Sequence, residues 1–156
     1  MEYIYNSPLG DLLITYNNGF ITGVYFDKDP IYPYTEEETA NGAIHQCITE
    51  LDEYFAGTRK KFETPIAFEA GTTFQKKVWD ALRSIPYGEL RSYGDIAATI
   101  GQPKAPRAVG GANNRNPISI IVPCHRVIGK SGSMVGYGGG IWRKEWLLEH
   151  EAKFLA

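Results

Sequence analysis

Residues 92–126 read SYGDIAATIGQPKAPRAVGGANNRNPISIIVPCHR, and the reading of this stretch decides the fold. Ser92 carries a short side-chain acceptor of the kind that caps a helix, which predicts a short helix from Tyr93 to Ile100. Gly101 stops it, because glycine takes the left-handed backbone of a helix end without a side-chain clash. Pro106 suits the first turn of a second short helix that reaches about Asn113. Two short helices joined by a tight turn containing glycine form a helix-turn-helix candidate. That unit binds DNA in some proteins and is a plain packing unit in others. After Asn116-Pro117, the apolar run Ile118 to Val122 predicts a short buried strand that delivers Cys124 to a turn.

Upstream, Thr72-Thr73-Phe74-Gln75 fits a capping box, in which a hydroxyl meets an orphan amide and Gln reaches back. The helix that follows places Phe74, Val78, Ala81, Leu82 and Ile85 on one face, and Ile85-Pro86-Tyr87-Gly88 ends it. Downstream lie the glycine-rich Gly136-Tyr137-Gly138-Gly139-Gly140 and a last helix from Ile141 to Phe154. Trp142, Trp146 and Leu147 are expected inward there, with Lys144 and Glu151 as polar members. The first seventy residues read differently. Asp11 to Tyr16, the turn Asn17-Asn18-Gly19 and Phe20 to Phe26 predict a hairpin. A loop over 27–36 holds Pro30 and Pro33, and Glu37 to Phe55 has helical spacing in Ala40, Ile44, Cys47, Ile48, Leu51 and Phe55. Cys47 is then a small buried hydrophobe. Thr58 to Phe68 is a linker with an edge strand, since Pro65 excludes a central one. The expected division is an acidic domain over 1–70 and a second domain over 71–156.

The 156 residues are 43% hydrophobic and 22% charged, which excludes disorder, collagen and coiled coil. No apolar run approaches the roughly 18 residues of a membrane span. The start, MEYIYNS, lacks a basic and then apolar leader, so the expected location is the cytoplasm. The net charge of −2 hides an asymmetry. Residues 1–70 hold four Lys/Arg against twelve Asp/Glu, and residues 71–156 hold twelve against six. A basic second half suits a polyanionic partner, although an ordinary solvated surface would read the same way.

Cys124 is the candidate nucleophile, because a thiolate attacks far better than a thiol and a cationic field favours the thiolate. His125 is adjacent, yet neighbouring side chains diverge, so a bridging water is the natural link. A structural Cys-His pair is the alternative. Metal binding is not expected: His45, His125 and His150 are the only histidines, and there is no Cys-x-x-Cys. The glycine-rich run lacks the phosphate-loop form, and no cofactor is expected.

Taken together, Gly71-Thr72-Thr73-Phe74-Gln75, Ile85-Pro86-Tyr87-Gly88, Ser92-Tyr93, Pro106 to Ala112, Asn116-Pro117, Val122 to Val127 and Gly136 to Gly140 resemble the O6-alkylguanine-DNA alkyltransferases. That family is also called the methylated-DNA–protein-cysteine methyltransferases. The resemblance implies an α+β protein, with a ribonuclease-H-like strand and helix domain packed on a winged-helix-like helix-turn-helix domain. It implies stoichiometric, irreversible transfer of an alkyl group from O6 of guanine in double-stranded DNA, with O4 of thymine left open. Cys124 would accept the alkyl group, while His125 and Glu151 draw off its proton and Asn116 braces the turn. Tyr93 would supply a hydrogen bond or a proton at N3 of the flipped base and Arg107 would enter the stack, with Ala108 and Gly110 beside it on the DNA side. Tyr137 would wall the pocket, the backbones of Cys124, Val127 and Gly138 would read the base, and Arg126 and Lys144 would assist binding. A monomer is implied. A damage-binding module without transfer and a cysteine hydrolase are the competing readings; the first lacks the cysteine, and the second leaves the helix-turn-helix unexplained.

Overall fold

The structure is a computed structural model that describes residues 1–31, 42–132, 134 and 137–156. Its contacts divide into two compact units, Met1–Glu69 and Ala70–Ala156.

The first unit is a three-stranded antiparallel sheet, β1 (Glu2–Ser7), β2 (Gly10–Asn17) and β3 (Phe20–Phe26), in sequence order, covered by helix α1 (Gly42–Phe55). The β2–β3 turn falls on Asn18 and Gly19, both at positive φ, the backbone that matches the twist of a two-residue hairpin. Strand β1 was not expected. Its burial pattern is irregular rather than alternating, so the period of two that betrays a strand is missing. Leu12, Leu13, Ile14, Ile21 and Val24 of the sheet and Ile44, Cys47, Leu51 and Tyr54 of α1 are all buried, and α1 packs on β2 and β3. The expected edge strand shrinks to one parallel bridge, Ile21 to Ile66. Residues 32–41, which include Pro33 and the expected start of α1 with Ala40, lie outside the described residues.

The second unit opens with α2 (Thr73–Leu82). Thr72 Oγ1 accepts from the Gln75 amide at 3.0 Å and Gln75 Oε1 accepts from the Thr72 amide at 2.9 Å. Each such cap stabilises by about 1 kcal/mol. Its buried face is Val78, Trp79 and Leu82, whereas Phe74 and Ala81 are half-buried. Strand β4 (Arg91–Ser92) leads into α3 (Tyr93–Thr99), where Ser92 and Asp95 form a second capping box. Helix α4 (Pro106–Asn114) follows, and Trp79 Nε1 donates to the Ala112 carbonyl at 2.8 Å, fastening α4 to α2. Then come the 3₁₀ turn Cys124–Arg126, strand β5 (Val127–Ile128), parallel to β4, and α5 (Ile141–Lys153).

Two expectations fail here. The run Ile118 to Val122 is a buried turn, not a strand, because the Val122 amide donates to the Ile118 carbonyl at 3.0 Å. Trp142 is 55% exposed, and Trp146 is half-buried. Helix α5 instead turns Arg143, Lys144, Leu147, His150 and Glu151 inward, since partners for these polar groups lie there.

Candidate active site and nucleic-acid interface

The turn before Cys124 is tied by one side chain. Asn116 Oδ1 accepts from the Ile118 amide at 3.0 Å, and Asn116 Nδ2 donates to the Val122 carbonyl at 2.8 Å. Between them Ile120 has φ +73, a backbone region that a β-branched residue enters only under strain. Pro123, at φ −82 and ψ 64, then makes an inverse γ-turn closed by the Cys124 amide donating to the Val122 carbonyl at 2.8 Å. Cys124 emerges from this pair of turns 5% exposed.

Glu151 sits behind it. His125 Nε2 lies 2.6 Å from Glu151 Oε2, Arg126 Nε donates to Oε1 at 2.8 Å and a terminal nitrogen of Arg126 donates to Oε2 at 3.1 Å. The Gly88 amide donates to Oε1 at 3.2 Å, and Arg126 also donates to the Ile85 carbonyl at 2.7 Å. Burial would raise the Glu151 carboxyl, but His125 and Arg126 outweigh it and hold the group well below the usual carboxylate range. Burial, opposed by Glu151, lowers His125, so the imidazole is neutral. Beside an ionised Glu151 the proton resides on Nε2. Nδ1, with no hydrogen-bond partner among the described residues, is then a lone-pair acceptor.

Burial pushes the Cys124 thiol up, while Asn116, the charge of Lys144 and Tyr137 pull it back. These neighbours offset part of what burial costs a thiolate, and a base is still needed to take the proton.

A cavity of about 650 Å³ opens on the helix-turn-helix, lined by Tyr93, Pro106, Arg107, Gly110, Asn114 and Lys130 among others. Cys124 does not line it. Tyr93 does, and its hydroxyl is raised by burial and then by Cys124. Arg107 and Ala108 are exposed and Gly110 is half-buried, so α4 presents them outward.

Comparisons with known proteins bear on the whole chain. Residues 73–153 match the 6-O-methylguanine DNA methyltransferase, DNA binding domain, and residues 1–68 match the ribonuclease-like domain of the same enzyme. The chain belongs to the O6-methylguanine DNA methyltransferase family. It is 48% identical over 150 residues to the methylated-DNA–protein-cysteine methyltransferase of Mycobacterium leprae, covering 94% of this chain and 88% of that one. It is 49% identical to the enzyme of the same description from Methanosarcina acetivorans, covering 95% and 96%. A Mycobacterium tuberculosis relative crystallised in complex with DNA superposes with a TM-score of 0.84 at 44% identity, covering 97% of this chain and 92% of that one. As the family implies, the fold is α+β, with a three-stranded antiparallel sheet in the first unit and a helical DNA-binding second unit.

Within this methyltransferase, two residues expected on the DNA side face inward. Arg126 is 6% exposed and spends its guanidinium on Glu151 and Ile85, with the guanidinium carbon 5.6 Å from the centre of the Tyr87 ring. Lys144 is fully buried and donates to the Val127 carbonyl. A cation inside a protein persists only where acceptors meet it, and distant segments supply them here. Val127 is buried and Tyr137 nearly so, while Gly138 is exposed. A Cβ at Gly138 would come 3.0 Å from the Asn114 carbonyl, so glycine allows this loop its close approach to α4. Gly136 lies outside the described residues.

The sequence reading missed the clamp role of Arg126, the Gly88 amide, the strain at Ile120 and the buried Asn113. One signal was available. Lys144, Leu147 and Glu151 recur at helical spacing, which sets both charged residues on the face of the buried Leu147.

Proposed function

We propose that Cys124 is the acceptor sulfur in this chain, whose family activity is repair of O6-methylguanine by methyl transfer to a cysteine. The observation that carries the assignment is the buried His125–Glu151 pair, 2.6 Å apart, on the turn that holds Cys124. An alkyl group on O6 inside a duplex cannot be approached in line, so the nucleotide leaves the stack at a cost of a few kcal/mol. Arg107, exposed on α4, fills the space it vacates, and exposed basic residues such as Lys104, Arg115 and Lys130 hold phosphates without reading sequence.

The base then reaches Cys124 past Tyr93. The thiol proton passes through a water to His125 Nδ1, and Glu151 stabilises the imidazolium that forms. The sulfur lone pair forms the S–C bond to the methyl carbon as the C–O6 bond breaks, its electron pair remaining on guanine. Tyr93 places a proton at N3, which lets guanine depart neutral. The product is a thioether that thiol exchange does not reopen, so each molecule turns over once. Double-stranded DNA bearing O6-alkylguanine is the substrate, acted on by a cytoplasmic monomer. No helix among the described residues is long and apolar enough to cross a membrane, which fits that location.

Intact-mass measurement tests the assignment. Saturating O6-methylguanine duplex adds one methyl group per chain, mapped by peptide to Cys124, and Cys124→Ser adds none. A methyl group found on Cys47, or repeated turnover, overturns it.

A further inference from the structure

Asn113 stands apart from every role assigned above. It lies on the inner face of α4, 1% exposed, while Arg107, Ala108 and Asn114 of the same helix face outward. Its Nδ2 donates to the Cys124 carbonyl at 3.3 Å. Its Oδ1 is buried with no hydrogen-bond partner among the described residues. Reversing the amide would set Oδ1 against the Cys124 carbonyl, two acceptors face to face, so the recorded orientation is the favourable one. A leucine of similar size would fill this place without stranding a polar atom, and stranded buried acceptors are rare in native proteins. The amide therefore weakens packing and provides one directional hold on the nucleophile's own peptide. The adjacent residue is fixed as well, because Trp79 grips the Ala112 carbonyl from α2.

Resting on the assignment of Cys124 as acceptor, we infer that Asn113 is a positioning residue that ties the DNA-facing helix to the Cys124 peptide. Arg107 and Asn113 belong to one rigid helix of nine residues. A nucleotide seated against the outer face thereby sets the place of the sulfur, and alignment does not depend on the strained Ile118–Val122 turn alone.

The experiment compares wild type with Asn113→Leu, and with Asn113→Ala in case the larger side chain disturbs folding. Four quantities are read: the single-turnover transfer rate at saturating O6-methylguanine duplex, the dissociation constant for that duplex, the melting temperature, and the rate with free O6-methylguanine base. Losing the hold misaligns the sulfur, and the duplex rate falls about tenfold or more. The dissociation constant stays within about twofold and the melting temperature of Asn113→Leu holds or rises, because an orphan acceptor has gone. The free-base rate falls less than the duplex rate. An unchanged duplex rate overturns the inference, and so does a loss that tracks melting temperature and affinity together, which marks a purely structural residue. A wild type that accepts no methyl group strikes instead at the assignment of Cys124.

Discussion

Cys47 and Cys124 are both buried thiols, and burial raises both above the ordinary thiol range. Cys47 sits on the buried face of α1, where the nearby Glu50 carboxylate adds to the effect and its thiol is pushed up to about 12. Around Cys124 the neighbours act with the opposite sign: Asn116, the positive charge of Lys144 and Tyr137 all pull its thiol down. The contrast teaches that depth does not separate an inert cysteine from a reactive one. Oriented donors, the sign of the nearest charge and a nearby base do. Two glutamates repeat the lesson. Glu50 is spent on structure, accepting from the Glu63 and Thr64 amides at 3.0 and 2.9 Å and from Gln46 at 3.1 Å. Glu151 joins His125 to Arg126 and so serves the proton path.

The largest expected effect comes from making the surroundings of Cys124 more like those of Cys47. Glu151→Gln removes the charge that supports a protonated His125 and leaves the Arg126 guanidinium buried without its counter-ion. The single-turnover rate falls about 100-fold, and urea unfolding shows a loss of about 3–5 kcal/mol. A wild-type rate in a stably folded Glu151→Gln would erase the distinction between the two thiols. The same carboxylate sets an acid limit. Its folded pKa is lowered, so its stabilisation is fully present above the ordinary carboxylate range and fades as pH drops through the folded value. Glu151→Gln should therefore lose less stability than wild type on acidification.

A smaller effect separates the thiols by pH. Because Cys124 is raised, its alkylation by iodoacetamide should climb roughly tenfold per pH unit through neutrality and keep climbing beyond pH 8.5, where a free thiol levels off. A plateau near pH 7 would mean a thiolate at rest. Cys47 should stay unmodified in the folded protein throughout, as peptide mapping would report. The smallest effect is Cys47→Ala, which should cost about 1–2 kcal/mol in urea for the cavity it leaves and change the transfer rate less than twofold. A large rate loss there would show that the inert thiol is not inert.

Much of the architecture was legible because its signals are local. The capping box at Thr72 with Gln75 and the Ser92 cap are satisfied within four residues, and the Asn18-Gly19 turn is decided by which residues tolerate positive φ. The turn at Ile118–Val122 was misread as a strand because an apolar run records burial and not backbone path. What bends it is the Asn116 side chain, which bridges residues two and six positions ahead. Trp142 was misplaced because hydrophobicity assigns tryptophan to the interior, whereas the inner face of α5 was needed for Lys144 and Glu151.

The chain's own order of residues determined the helix ends, the hairpin, the candidate nucleophile and the family. Folding in three dimensions decided which charges face inward. Arg126 and Lys144 look like any basic residues in the text, and they are buried because Glu151, Ile85 and Val127 converge on them from separate segments. A charge leaves water only where such partners have been assembled, and that assembly is a property of the tertiary structure.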